Sequence, residues 1–159
     1  MNGLSKTTYN VAATGGSNTA DDLGQSIVQN TTVYKHADLA ENYQADKFYN
    51  PGTVVMFGGD DEITAATPDT TAVAGVISTN PAHLMNGALT GANVLAVALI
   101  GRVPCMVIGP AAKGDLLVSA GFGYAKVDNK PTAGTVIGKS LNDFPVHGKG
   151  VIEIVVGRI

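Results

Sequence analysis

From residue 53 onward, the chain repeats short apolar runs that are separated by turn-forming residues. The runs are rich in β-branched side chains, and Gly, Pro, Asn and Asp interrupt them about every 8–12 residues, which is typical of a β-sandwich or β-barrel. No amphipathic helical pattern breaks the series. We predict an all-β fold, a small β-barrel or β-sandwich, with strands over Thr53–Phe57, Glu62–Ala65, Val73–Ser78, Val94–Leu99, Arg102–Ile108, Asp115–Val118, Gly123–Val127, Thr135–Leu141 and Gly150–Gly157.

Residues 1–36 differ in composition from the rest of the chain. They are dominated by Asn, Thr, Gly, Ser and Ala without a sustained apolar period, so they cannot bury enough surface to offset their ordering entropy. We predict an extended N-terminal arm over 1–36, loose alone or ordered against a neighbour, and a compact β domain over 37–159. The arm residues expected to contact a partner are its larger apolar and aromatic ones: Tyr9, Leu23, Ile27, Val28 and Tyr34.

The two ends of the β domain carry further patterns. Asp38–Tyr43 spaces its apolar residues by one helical turn, so a single helical turn and an irregular strand are both open. The last predicted strand, Val151–Val156, is almost entirely apolar. Such a strand is expected to lie centrally or to be covered on both faces.

Composition indicates an unusually charge-poor surface. Hydrophobic residues make up 45 % of the chain and charged residues only 14 %, against about 25 % in typical soluble domains. The surface must therefore consist largely of Thr, Ser, Asn, Gly and Ala. This suits a protein that packs against its own copies or a large assembly, and it is equally common in extracellular β proteins.

The net charge and the lack of targeting or membrane-spanning segments argue against nucleic acid and membranes as partners. The net charge is −3 and the ten basic residues are scattered, which argues against nucleic acid. The start of the chain lacks the features of a signal peptide. The most apolar window, Ala92–Val103, is too short for a membrane span and contains Arg102. We therefore expect a soluble protein that is made in a cytoplasm and binds neither nucleic acid nor membrane.

Reactive residue types are present but not grouped. His36, His83 and His147 are far apart and lack neighbouring ligands for zinc. Ser78 and His83 are five positions apart, but Asn80-Pro81 between them is a turn signal, and turn capping by Ser78 and Asn80 is the favoured interpretation over catalysis. No cofactor or metal is expected, and no enzymatic activity.

Three other features have simple structural interpretations. The carboxylates of residues 60–62 form a solvated turn, with a weak cation site left open. Cys105 is the only cysteine and lies in an apolar run, which favours a buried, inert thiol. Arg102 interrupts the same region and must reach solvent, a carboxylate or a neighbouring subunit. It is the residue of the β domain that we assign to an oligomer interface.

Several sequence blocks, in one order, resemble a β module of fibre-like virion proteins of tailed phages, including many from marine and cyanobacterial hosts. The blocks are Asp38–Tyr43, Tyr49–Val55, Gly75–Pro81, Leu84–Asn86, Gly101–Pro104 and Lys113–Leu117. In that family the module often ends a long fibre, whereas here 36 residues precede it. An arm followed by a compact β domain is similar in layout to head-decoration proteins of the lambda type, which form trimers on the capsid lattice.

These resemblances imply a structural protein of a tailed-phage virion. The first hypothesis is a capsid decoration (cement) protein that trimerises and binds the major capsid protein through its arm. A tail-fibre or baseplate-associated domain is the alternative from the same class. An autoproteolytic chaperone is the alternative from another class, although no Ser, His and carboxylate set for cleavage is identifiable.

Overall fold

The computed structural model describes residues 38–157, and within this range the chain forms strands, turns and loops but no helix. The ten strands are β1 Asp38–Gln44, β2 Val54–Phe57, β3 Ile63–Ala65, β4 Val73–Ile77, β5 His83–Met85, β6 Val94–Ile108, β7 Leu116–Gly121, β8 Tyr124–Val127, β9 Val136–Ser140 and β10 Lys149–Val156. The predicted all-β class is confirmed. The predicted arm, residues 1–36, lies outside the described residues.

Five strands close into a barrel. Neighbouring strands follow the order β10-β9-β7-β8-β6, and an additional pairing of β10 with β6 completes the ring. The β6–β10 ladder is antiparallel and runs from Lys149 opposite Ile108 to Val156 opposite Gly101. Because a closed ring has no free sheet edge, this part of the domain leaves no open ladder for unwanted pairing.

The long strand β6 also belongs to a second layer. Its first half pairs with β1 and β4, and β4 continues through β2 to β3. A parallel bridge between Ala45 and Ile63 connects β1 back to β3. The sequence predicted two strands where β6 is one strand of 15 residues, and this prediction is wrong. The strand continues through Gly101, which has a φ of +112°, because glycine accepts a backbone conformation that other residues avoid.

The hydrophobic core consists of two clusters on opposite faces of the shared strands. Val54 and Val76 contribute to the barrel core. Their neighbours Val55 and Ile77 point into the second cluster, around Ile63. Both faces of β2 and β4 are therefore buried, which explains why these runs are continuously apolar and do not alternate.

The structure decides one open alternative of the sequence analysis and adds one strand that was not predicted. Asp38–Gln44 is a strand and contains no helical turn, since it pairs antiparallel with β6 along its whole length. The strand β5 was not predicted. It has only three residues and pairs parallel with β1, and a run that short carries no periodic signal.

Candidate functional site: an outer β6–β10 face and an exposed aromatic turn

Alternation along β6 and β10 separates a buried face from an outward one. Inside the barrel, Val103, Cys105, Val107, Ile152 and Ile154 are almost fully buried. Since successive side chains of a strand point to opposite sides, the residues between them point outward. We call this surface the outer β6–β10 face: Arg102, Pro104, Met106 and Ile108 on β6, with Lys149, Val151, Glu153 and Val155 on β10.

The outer β6–β10 face is largely apolar and open to solvent. The side chain of Val151 is 61 % exposed, that of Val155 41 % and that of Ile108 36 %. Val151 lies directly opposite Met106 in the ladder, so apolar groups adjoin across the two strands. The central position predicted for β10 is confirmed, because it pairs with β6 on one side and β9 on the other.

One ion pair crosses this face. Arg102 Nη1 lies 3.6 Å from Glu153 Oε2, and the two side chains are 49 % and 33 % exposed. In the ladder Arg102 is opposite Val155 and Glu153 is opposite Pro104, so the contact is diagonal. A pair this exposed contributes only about 0–1 kcal/mol to stability. Arg102 thus reaches both solvent and a carboxylate, and its role in an interface stays a prediction.

The face continues onto β8. Ala125 of β8 pairs with Val107 of β6, so Tyr124 neighbours the outward residues of β6. The ammonium group of Lys149 lies 4.6 Å from the centroid of the Tyr124 ring. Contacts of this kind are worth about 0.5–1 kcal/mol at exposed positions.

An exposed aromatic residue occupies the tight turn between β7 and β8. Phe122 is 91 % exposed and has a φ of +52°, between Gly121 and Gly123, which also have positive φ. The turn itself is fixed, because the backbone amide of Val54 donates a hydrogen bond of 2.8 Å to the Gly123 carbonyl. Sequence reasoning missed Phe122. The only signal available was its position between two glycines.

The residues considered for catalysis are not brought together. Ser78 Oγ is buried and has no hydrogen-bond partner among the described residues, so neither a base nor the predicted turn cap engages it. His83 is exposed on β5. Glu62 accepts a 2.7 Å hydrogen bond from the backbone amide of Gln44. Within residues 38–157, no three His, Cys, Asp or Glu side chains are grouped to hold a metal ion.

Cys105 lies inside the barrel core with no exposed surface. Burial raises the pKa of its thiol to about 12, because the apolar interior disfavours the thiolate. The predicted buried thiol is thereby confirmed. A thiol of this kind is a weak nucleophile at neutral pH.

A polar turn organises the loops at one side of the barrel. The Asp115 carboxylate accepts hydrogen bonds from the Ala112 amide at 2.8 Å and from Asn129 Nδ2 at 2.9 Å. These bonds, chiefly the one from Ala112, lower the pKa of Asp115. The sequence Lys113-Gly114-Asp115 is therefore a structural turn held by its own carboxylate.

A cavity of about 290 Å³ opens between β4, β9 and the end of β10. Its lining includes Phe57, Val73, Leu99, Val136 and Val156, and no ionisable side chain among the described residues. The remaining sequence-predicted contact residues, Tyr9, Leu23, Ile27, Val28 and Tyr34, lie outside the described residues. None of the described elements is a helix with the length and apolar character needed to cross a membrane.

Comparison with known proteins finds similarity in structure but not in sequence. No protein-family model matches the chain, and no curated protein matches it significantly. Among solved structures, the C-terminal fragment of gene product 12 of bacteriophage phi29 aligns with a TM-score of 0.57 and 13 % identity, over 75 % of this chain and 99 % of that fragment. The N base of the phi29 head fiber gp8.5 aligns with a TM-score of 0.43 and 15 % identity, over 77 % and 92 %.

At 13 % identity the match to the gene product 12 fragment is a likeness of fold. The resemblance that the sequence blocks suggested, to a β module of phage fibre-like proteins, is confirmed at that level. The alignment covers nearly all of that fragment.

Proposed function

We propose that this chain is a structural protein of a tailed-phage virion. The observation that carries the proposal is the fold shared with nearly the whole C-terminal fragment of gene product 12 of bacteriophage phi29. The sequence blocks between residues 38 and 117 point to the same class of protein independently of the fold. The exposed apolar side chains of the outer β6–β10 face, such as Val151 and Val155, offer the kind of surface through which a structural protein binds its neighbours.

Within this class we favour a capsid decoration protein. In this proposal the β domain forms an oligomer, a trimer by analogy with lambda-type decoration proteins, and residues 1–36 bind the major capsid protein. A polar segment of this composition gains order by binding a partner, and it adds strand or loop contacts to the capsid surface. Because many copies bind one shell, each contact need not be tight alone.

Deleting residues 1–36 tests the decoration proposal. The shortened chain is mixed with particles assembled without this protein, and binding is measured by co-sedimentation beside the full chain. We expect a folded, soluble β domain that no longer binds particles. Undiminished binding by the shortened chain would reject the arm as the attachment segment.

A fibre or baseplate-associated domain is the second candidate, because the sequence blocks resemble fibre-like modules and the fold agrees with that resemblance. In this case the arm joins the domain to the tail, and exposed loops such as residues 58–61 contact the host. Antibody labelling of purified particles separates the two candidates. Label on heads supports decoration, and label restricted to tails supports the fibre candidate.

A further inference from the structure

We propose that Asn86 is a site of spontaneous deamidation, and that its conversion to aspartate or isoaspartate weakens the attachment of β5 to β1. The inference goes beyond the proposed function and does not depend on it. It is carried by the sequence Asn86-Gly87, by the surroundings of these two residues and by the hydrogen bonds that Asn86 makes with Asn42.

Gly87 presents an accessible backbone nitrogen next to the side-chain amide of Asn86. Both residues are exposed in the loop between β5 and β6, and a Cβ built at Gly87 meets no atom within 4 Å. Among residues 38–157, no backbone carbonyl accepts a hydrogen bond from the Gly87 amide. Because glycine has no side chain beside its nitrogen and is conformationally permissive, this amide can approach the Asn86 side chain.

The reaction consumes water and releases ammonia, without an oxidant or a reductant. The backbone nitrogen of Gly87 loses its proton to solvent and attacks Cγ of Asn86. A new N–Cγ bond forms, the Cγ–Nδ2 bond breaks, and ammonia leaves with a proton from solvent. Water then opens the cyclic succinimide. Attack at Cγ gives aspartate, whereas attack at the backbone carbonyl carbon of Asn86 gives isoaspartate, in which the main chain runs through Cγ.

Asn129 offers an internal comparison within the same chain. It is also exposed, but Lys130 follows it where glycine follows Asn86. The backbone amide of Lys130 donates a hydrogen bond of 2.8 Å to Asp128 Oδ1, and both ends of the Asn129 side-chain amide are hydrogen-bonded as well. We therefore expect Asn129 to stay intact under conditions in which Asn86 converts.

Asn86 connects β5 to β1 through a reciprocal pair of hydrogen bonds. Its Nδ2 donates to the Asn42 carbonyl at 3.1 Å, and Asn42 Nδ2 donates to the Asn86 carbonyl at 3.3 Å. The strand β5 has only three residues, and among the described strands it pairs only with β1. An edge with so few contacts opens locally at a small cost in free energy, and this opening gives the Asn86 side chain access to the reactive geometry.

Conversion replaces a hydrogen-bond donor by an acceptor. An ionised carboxylate only accepts hydrogen bonds, so the product side chain loses its bond to the Asn42 carbonyl and is repelled by that oxygen. Isoaspartate in addition lengthens the main chain at the end of β5. Because the ammonia is lost to solvent, the converted fraction increases with the age of the protein.

Peptide mapping by mass spectrometry measures conversion at each asparagine after the full-length chain is incubated at mildly alkaline pH. We expect Asn86 to convert and Asn129 to stay intact. In Gly87→Ala, conversion of Asn86 should fall to the level of Asn129, because the added methyl group hinders the attacking nitrogen. Asn2, which also precedes glycine, lies outside the described residues and is mapped on its own peptide. Conversion of Asn86 no faster than that of Asn129 would overturn the proposal.

Asn86→Asp tests the effect of conversion on β5. The matched control is Thr90→Asp, because Thr90 is exposed in the same loop and gains the same charge without altering the hydrogen bonds between Asn42 and Asn86. Hydrogen–deuterium exchange is followed in the peptides that cover β5. We expect exchange in N86D to be about two- to tenfold faster, as the loss of one hydrogen bond implies, and exchange in T90D to match the wild type. Equal exchange in the two variants would overturn the proposed release of β5.

Discussion

The backbone of Gly138 on β9 packs directly against the carbonyl group of Val155 on β10, with no space between them for a Cβ atom. The contact lies where β9 and β10 pair within the closed barrel. We expect Gly138→Ala to push the two strands apart and to lower the free energy of unfolding by about 1–3 kcal/mol, as overpacking of a core does. Urea denaturation of wild type and variant measures the difference.

Gly87 provides the matched control for this substitution. A Cβ built at Gly87 meets no atom within 4 Å, so Gly87→Ala is expected to change stability by no more than about 0.5 kcal/mol. Equal stability of G138A and wild type would mean that the barrel is not closed as described.

Burial of Cys105 predicts resistance to alkylation. Because the thiol has no exposed surface and its pKa is raised to about 12, iodoacetamide at pH 8 should leave the folded protein unmodified. In guanidinium the same treatment should add one carbamidomethyl group, seen by intact mass. Rapid modification without denaturant would place Cys105 outside the barrel core.

The same pKa shift predicts a loss of stability in alkaline solution. The thiol of the unfolded chain ionises near its ordinary pKa of 9.0, whereas the folded thiol stays neutral up to about 12. Between these values, Cys105 should therefore reduce the free energy of unfolding by up to about 1.4 kcal/mol per pH unit. Cys105→Ala should flatten this part of the pH profile, and an unchanged slope in the variant would contradict the assignment.

At Phe122 we predict a substitution that stabilises the domain, whereas most substitutions destabilise a protein. The ring is 91 % exposed, so its removal costs no packing, and the φ of +52° disfavours any residue with a Cβ by about 1–2 kcal/mol. Part of that gain is lost because glycine is more flexible in the unfolded chain. We expect Phe122→Gly to stabilise the domain by up to about 1 kcal/mol, measured by thermal denaturation.

Phe122→Ala separates the ring from the backbone. It removes the ring but keeps the left-handed backbone, and should change stability by less than about 0.5 kcal/mol. Marked destabilisation by both variants would show that the ring packs inside the domain.

Asp115 should stabilise the folded protein at neutral pH and lose this effect in acidic solution. Its hydrogen bonds lower its pKa below the ordinary value of 3.8, so the contribution is complete above that value and disappears as pH falls through the lower, folded pKa. Asp115→Asn should cost about 1 kcal/mol at pH 7 and progressively less below pH 3.8.

Urea titrations at several pH values measure this difference, with Asp60→Asn in an exposed turn as the control. At neutral pH, D60N should match the wild type. A D115N difference that stays constant from neutral to strongly acidic pH would show that ionisation of Asp115 is not its source.

The sequence predicted most strands because their composition is a local property. The β-branched residues of Thr53-Val54-Val55 are enough to predict a strand. The sequence could not show that both of its faces are buried, because Val54 and Val55 belong to different core clusters. The barrel closes because β10 pairs with β6, with Val151 opposite Met106 in that ladder. These two segments are far apart in the chain, and no local pattern encodes their pairing.

The candidate surface was predictable only in part. Arg102 stands out in the sequence as a charge inside an apolar run, whereas the outward position of Val151 and Val155 is hidden by apolar residues on both faces of β10. Exposure of Phe122 depends on a turn that is fixed by Val54, and this contact joins segments far apart in the chain.

The central claim is that this chain is a structural component of a phage particle, and cryo-electron microscopy of purified virions of the source phage tests it most directly. The account predicts density on the particle surface into which the five-stranded barrel fits. Particles that lack the chain altogether, in density and in mass spectrometry of their proteins, would contradict the claim.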